Sequence, residues 1–245
     1  MHRTIRYSSI ITIVALAACT RSKTDQPVET TTAAGTSVSP SGTAAAVNGK
    51  SLVRFVNSLP APKGVDLKVN EAFLFQNVAP KLVTAYAEVA TDAPKFALHG
   101  AGKDSTMAEN KEVLVDGRRY TAVALTKADG TSELRIWRDD LVPDAGKARI
   151  RVIHAAPGLD DVRIGIAGSD KPLFNSVSYA TEAGFKDVDP SDPVLIISRS
   201  AKGAQPIRLK AMHLETGHAY TIVLITKKGN LDVITFEDAG QGTAK

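Results

Sequence analysis

Apolar residues recur along this chain at every second position rather than every third or fourth. Val65-Asp66-Leu67-Lys68-Val69 and Ile207-Arg208-Leu209-Lys210-Ala211 alternate apolar and polar side chains, as a strand with one packed and one wet face must. Val194-Leu195-Ile196-Ile197 is apolar throughout and reads as a more central strand. Between such runs stand Ala128-Asp129-Gly130 and Lys228-Gly229-Asn230, whose residues tolerate positive φ and predict hairpin turns. No stretch predicts an amphipathic helix of about 10 residues or more.

The pattern also occurs twice. Arg54-Phe55-Val56-Asn57-Ser58-Leu59-Pro60 aligns with Arg151-Val152-Ile153-His154-Ala155-Ala156-Pro157 at a spacing of 97 residues. Val65, Leu67 and Val69 align with Val162, Ile164 and Ile166, and Leu74 to Val78 with Leu173 to Val177. Tyr86 then meets Phe185, and Gly117-Arg118-Arg119-Tyr120-Thr121-Ala122-Val123 meets Gly217-His218-Ala219-Tyr220-Thr221-Ile222-Val223. A conserved order with little drift in register marks an internal duplication. We read two modules, about 50–142 and 147–240, joined by a short connector. About seven short strands in each predict an all-β fold, two tandem immunoglobulin-like or transthyretin-like antiparallel β-sandwiches. Tyr120 and Tyr220 are expected as corner tyrosines at the start of a late strand.

The N-terminus is of another kind. Arg3 and Arg6 precede an apolar run, Ile10 to Ala18, that ends in Leu16-Ala17-Ala18-Cys19. A run about half the ~20 residues of a membrane span predicts a secretory signal over 1–18. Leu-Ala-Ala-Cys resembles the lipobox of bacterial lipoproteins, which implies cleavage before Cys19, acylation of its thiol with chains such as palmitate, and acylation of the new amine. The alternative is an ordinary signal peptide with a cysteine beside it. Against that alternative, the single cysteine of the chain falls at the motif's required place. Two or three acyl chains anchor a protein stably where one holds it marginally. Thr20, where an aspartate would signal inner-membrane retention, implies the outer membrane by the same resemblance. From residue 19 to 49 the chain is mostly Thr, Ser, Ala, Pro and Gly, too poor in large apolar side chains to offset the entropy of ordering. It is expected to be a flexible tether with a mean span of about 30 Å.

Composition adds limits. At 43% apolar and 23% charged, the chain is globular in character. Loss of Arg3 and Arg6 with the signal takes the basic count from 30 to 28 against 26 acidic residues, so charge names no partner. Aromatics at 5% and the lack of a basic stripe argue against nucleic-acid binding. With Cys19 acylated, no disulfide is expected.

Three motifs together resemble bacterial lipoproteins carrying domain of unknown function 4397. They are Arg151-Val152-x-His154-Ala155-x-Pro157, Leu173-Phe174-x-x-Val177 and Gly217-x-x-Tyr220-Thr221-x-Val223. The resemblance covers nearly all of 147–240 and, more loosely, 50–142, where Asn57 replaces the histidine. It implies an exported, anchored β-sandwich protein in a family with no established activity.

Candidate chemistry is sparse. His154, Asp160 and Asp161 form the one set that looks catalytic, yet the first module places Asn57, Lys63 and Gly64 there. We therefore read His154 as a hydrogen-bonded group near a strand end and expect no catalytic, cofactor-binding or metal residue. G-x-S-x-G, H-E-x-x-H and C-x-x-C are absent from the sequence, and His99, His213 and His218 look scattered. Gly100-Ala101-Gly102-Lys103-Asp104 lacks the first glycine and the hydroxyl of a phosphate loop and reads as a plain loop. Asp139, Asp140 and Asp144 at the connector, with Asp187, Asp189 and Asp192, offer carboxylates for calcium; the simpler reading is solvated loop acids. The expected function is a non-catalytic cell-envelope lipoprotein, held to the membrane through Cys19, whose modules bind an envelope protein or glycan or serve a structural role. The alternative is an envelope enzyme or accessory acting on glycan or peptide through His154, Asp160 and Asp161.

Overall fold

Among the described residues the β-branched and apolar runs form sixteen strands, eight in each half. In the first half these are β1 (Lys50–Asn57), β2 (Val65–Val69), β3 (Ala72–Val78), β4 (Ala87–Ala90), β5 (Lys95–Gly100), β6 (Thr106–Lys111), β7 (Arg119–Thr126) and β8 (Ser132–Asp139). In the second they are β9 (Ala148–His154), β10 (Val162–Ile166), β11 (Pro172–Val177), β12 (Glu182–Val188), β13 (Leu195–Arg199), β14 (Ile207–Arg208), β15 (Ala219–Lys227) and β16 (Asn230–Asp238). This computed structural model describes residues 49–60, 63–139, 141–199, 205–227 and 229–238. Among them there is no helix. The signal segment, Cys19 and nearly all of the tether lie outside the described residues.

The strands build four sheets, ordered β4-β1-β7-β8 and β3-β2-β5-β6 in the first half, β12-β9-β15-β16 and β11-β10-β13-β14 in the second. The expected all-β sandwich architecture holds. In each half the first strand runs parallel to the seventh, with Leu52 opposite Arg119 and Arg149 opposite Ala219; the other pairings are antiparallel. An immunoglobulin constant-type domain instead seats its first strand beside its second, so the strand order differs from that pattern while the sandwich architecture is kept. Eight strands replace the expected seven because β4 and β14 are edge strands of only four and two residues, too short to show a period. Ile207 to Ala211 accordingly yields a short bridge rather than a full alternating strand.

Local signals read from sequence are in place. Gly130 (φ 82°) and Gly229 (φ 78°) turn the hairpins β7–β8 and β15–β16, positions where a Cβ would be strained. The hydroxyl of Tyr120 accepts from the Val115 amide at 2.8 Å, and that of Tyr220 from the Glu215 amide at 3.0 Å. Each corner tyrosine thus ties its late strand to the loop five residues upstream.

Each half has its own core, Val53, Phe55, Leu67, Phe96 and Leu98 among others in the first, Ile150, Val152, Ile164, Leu195 and Ile197 in the second. A third apolar cluster joins them: Val56, Val123 and Leu125 pack with Ile153, Ala155, Val223, Ile225 and Ile234. On β1, β7, β9 and β15, therefore, odd and even side chains enter different apolar clusters. Inner strands buried on both faces lack a wet side, and their sequences read as near-continuous apolar runs for that reason.

Candidate functional site

The seam between the halves also holds charge. On the seam-facing side of β1 and β9, in step with Val56 and Ile153, stand Arg54 and Arg151, which are 3% and 0% exposed. Opposite each, on the neighbouring strand, is a threonine: Arg54 Nε donates to Thr121 Oγ1 at 2.9 Å and Arg151 Nε to Thr221 Oγ1 at 2.8 Å. Asp139 and Asp238 close β8 and β16, and each accepts from the threonine of its own half, at 2.8 and 2.7 Å. The ion pairs cross over. Arg54 pairs with Asp238, and Arg151 Nη2 donates to Asp139 Oδ1 at 2.6 Å. Such a reciprocal exchange, i to j and j to i, is the mark of an isologous, two-fold contact.

Aromatic rings complete the cluster. The Arg54 guanidinium lies 4.8 Å from the Tyr86 ring centroid and 4.5 Å from that of Phe236; Arg151 lies 4.6 Å from Phe185. Tyr86 donates its hydroxyl to Asp139 at 2.6 Å. Burial alone would raise the Asp139 carboxyl, but Arg151 and Arg54 outweigh it and hold the group below its ordinary value. Glu182, 3.2 Å from Arg151, has no counterpart in the first half, where Val83 takes the same place opposite β1; burial raises its carboxyl. Asp139 is thus a buried partner of two arginines and not, as its position beside the connector suggested, a solvated loop acid.

The apparent catalytic set resolves into framework contacts. His154 is fully buried at the end of β9. Its Nδ1 accepts from the Ala156 amide at 3.3 Å, which leaves the proton on Nε2, donated to the Asp160 carbonyl at 3.3 Å. Burial lowers its pKa, consistent with a neutral ring. Asn57 does the same at the end of β1, accepting from the Leu59 amide at 3.1 Å and donating to the Val78 carbonyl at 2.9 Å. Asp160 meets His154 through its backbone, while the exposed Asp161 carboxylate accepts from Ser176 at 2.7 Å.

Three of the remaining acids are paired. Asp187 accepts from Arg149 at 2.6 Å and from the Asp144 amide at 3.2 Å, Asp189 holds Lys147 at 2.6 Å, and Asp192 holds His213 at 2.7 Å. Asp140 lies outside the described residues. Among the described residues no three metal-binding groups converge. His213 and His218, expected to be scattered, instead flank one carboxylate, Glu215, at 3.3 and 3.8 Å. Sequence reasoning missed the seam cluster and this trio; His-x-Glu-x-x-His was the available signal for the second.

Comparison with known proteins gives a family match and distant folds. The family described as a domain of unknown function (DUF4397) matches residues 51–165, from β1 into β10. The match therefore spans the first half and only the start of the second, where the motifs are fullest. No curated protein matches. Among solved structures, the C-terminal domain of AlgF from P. aeruginosa is 17% identical, covers 38% of this chain and 99% of its own, and has a TM-score of 0.32. Candidate cell adhesion proteins of Bacteroides uniformis and Bacteroides ovatus are 11% and 8% identical, cover 78% and 82% of this chain and 98% and 100% of their own, with TM-scores of 0.25 and 0.27. Scores at this level assign no activity or partner to this chain.

Proposed function

We propose that this chain is a non-catalytic cell-envelope lipoprotein, anchored through Cys19 to what we read as the outer membrane, which presents a double β-sandwich for binding an envelope protein or glycan, or for a structural role. The observation that carries the reading is the seam. Because the two inner sheets cover each other, what remains free is the pair of outer sheets and the end loops, and a rigid body with loops at its ends is a common recognition surface. The enzyme alternative through His154, Asp160 and Asp161 loses its donor set, since the imidazole is occupied on both nitrogens by backbone and the Asp161 carboxylate by a serine.

Crosslinking in intact envelopes followed by capture of the full chain tests the binding role: recovery of a specific protein or glycan is expected. A hydrolytic activity in the pure protein with no captured partner would overturn the reading. Metabolic labelling with a palmitate analogue tests the anchor. Label on the wild type but not on Cys19→Ser is expected, and an unlabelled wild type that washes off the membrane would remove the anchor. Protease shaving of intact cells then separates surface display, where the chain is cut, from a periplasmic position, where it is protected.

A further inference from the structure

Each half turns one face of its outer sheet to solvent, and register lets the two faces be compared position by position. In the second half β10 alternates buried Val162 and Ile164 with exposed Arg163, so Arg163 stands on the outward face with Gly165 two residues on. Arg163 lies opposite Ser198 of β13, Gly165 opposite Ile196, and Ile196 opposite the exposed Arg208 of β14. On its other side Gly165 meets Pro172 of β11. Two guanidinium groups thus flank a floor of Gly165, Ile196 and Pro172, on Cα atoms about 12 Å apart by strand spacing and rise. Lys210, exposed two residues beyond Arg208, adds a third cation.

The same registers of the first half hold the opposite charge. Asp66 lies opposite His99 and Glu109 opposite Ala97, where the second half has Arg163 and Arg208. Those two carboxylates have partners within their own half: Asp66 accepts from the Asn77 and Gly102 amides at 2.6 and 2.9 Å, and Glu109 holds Lys95 at 2.7 Å. Among the described residues no ion pair joins Arg163, Arg208 or Lys210 to a carboxylate. Asp161, two residues before Arg163, accepts from Ser176 at 2.7 Å.

Gly165 answers no need of the backbone. Its φ is not positive, a Cβ there would meet nothing within 4 Å, and the first half carries Lys68 in the same register beside the same register shift. There Lys68 lies 4.8 Å from the Phe73 ring centroid and fills the middle of the face. A glycine inside a strand weakens it and often marks the close approach of a ligand. A protein partner would seek large apolar anchors at the centre of its interface. Among the described residues the large apolar side chains left exposed are Phe73, Leu82, Met107, Val113, Val115 and Val142, all of them before the second half.

We propose that the outward face of β10, β13 and β14 binds an acidic glycan, with sugar carboxylates on Arg163 and Arg208, a hydroxyl on Ser198 and a ring seated over Gly165 and Ile196. This rests on the envelope-binding reading above and selects glycan over protein as the ligand. A guanidinium meets a carboxylate through two parallel hydrogen bonds, and the bare floor at Gly165 admits a ring where a lysine would exclude it.

Affinity electrophoresis of the full chain in detergent, through gels containing polygalacturonate, tests this beside gels of neutral dextran, polyglutamate and duplex DNA. Retardation by polygalacturonate above that by the other three is expected, fading as ionic strength rises from about 0.01 to 1 M and the Debye length falls from about 30 to 3 Å. Arg163→Ser with Arg208→Ser is expected to weaken binding about tenfold or more. Gly165→Leu, which fills the floor and leaves the charge alone, is expected to weaken it as well. Arg118→Ser with Lys127→Ser, the same loss of charge from the first half, is expected to leave it unchanged. Should Gly165→Leu fail to fold by circular dichroism, Gly165→Lys installs the first half's residue and is expected to bind more weakly despite the added cation. Retardation by polyglutamate or DNA equal to that by polygalacturonate, or an equal loss from the first-half control, would reduce the face to general attraction for polyanions and overturn the proposal. No retardation by polygalacturonate would also overturn it, and capture of an envelope protein by crosslinking would in that case leave the broader binding reading in place.

Discussion

Asn57 and His154 do the same work in the two halves. Each accepts a hydrogen bond from the amide two residues ahead, each donates to a backbone carbonyl, and each exchanges its own amide and carbonyl with the segment before β4 or β12. A histidine that an asparagine can stand in for is a clamp on the strand end, with no proton to exchange with a substrate.

His154→Asn is therefore expected to fold with stability close to wild type, while His154→Ala, which strands a buried amide and a carbonyl, loses about 1–3 kcal/mol in urea unfolding. The pH dependence has a definite sign. Burial depresses the folded-state pKa of His154, so its contribution is present above the ordinary value near 6.5 and is lost as pH falls below that. His154→Asn should flatten this part of the stability profile, and an unchanged slope would refute the neutral clamp.

The crossed ion pairs predict an asymmetry between breaking and replacing. Asp139→Asn leaves Arg151 buried without its charge partner and is expected to cost about 3–5 kcal/mol. The apolar pair Arg151→Met with Asp139→Leu should recover much of that loss. A double-mutant cycle by thermal unfolding measures the coupling, and additive losses from the two single changes would show that the pair is not coupled across the seam.

Glu182 makes a third carboxylate beside two arginines and two aspartates, and burial raises its pKa above the ordinary 4.5. A raised carboxyl supports the fold fully only below about pH 4.5, and the support is lost as pH rises through the folded-state value. Glu182→Gln is expected to melt higher than wild type at pH 7, with the difference closing toward pH 4.5. A variant less stable at neutral pH would mean that the contact with Arg151 outweighs the burial.

The corner tyrosines give a matched pair of tests. Tyr120→Phe and Tyr220→Phe each remove an acceptor from a loop amide and are expected to cost roughly 1 kcal/mol apiece. Because the two sites belong to different halves, the double variant should show the sum.

The hairpins, the corner tyrosines and the recurring strand pattern were legible because their causes are local. A glycine at positive φ, a tyrosine five residues from its amide and an alternation of period two are each visible within a few positions. Arg54 and Arg151 were legible as framework but not as charges to be neutralised, because their partners Asp238 and Asp139 lie in the opposite half. Asp192 and Glu237, which pair with His213 and His218, come from the β12–β13 loop and from β16, so the two looked like chance histidines.

From the residue pattern alone follow strands and their turns, since side-chain direction along a strand depends only on parity. Which of those strands lose both faces to apolar neighbours depends on how the halves dock, and docking is set by long-range complementarity. That contact turns Arg54, Arg151, Asp139 and Asp238 from surface charges into a buried cross.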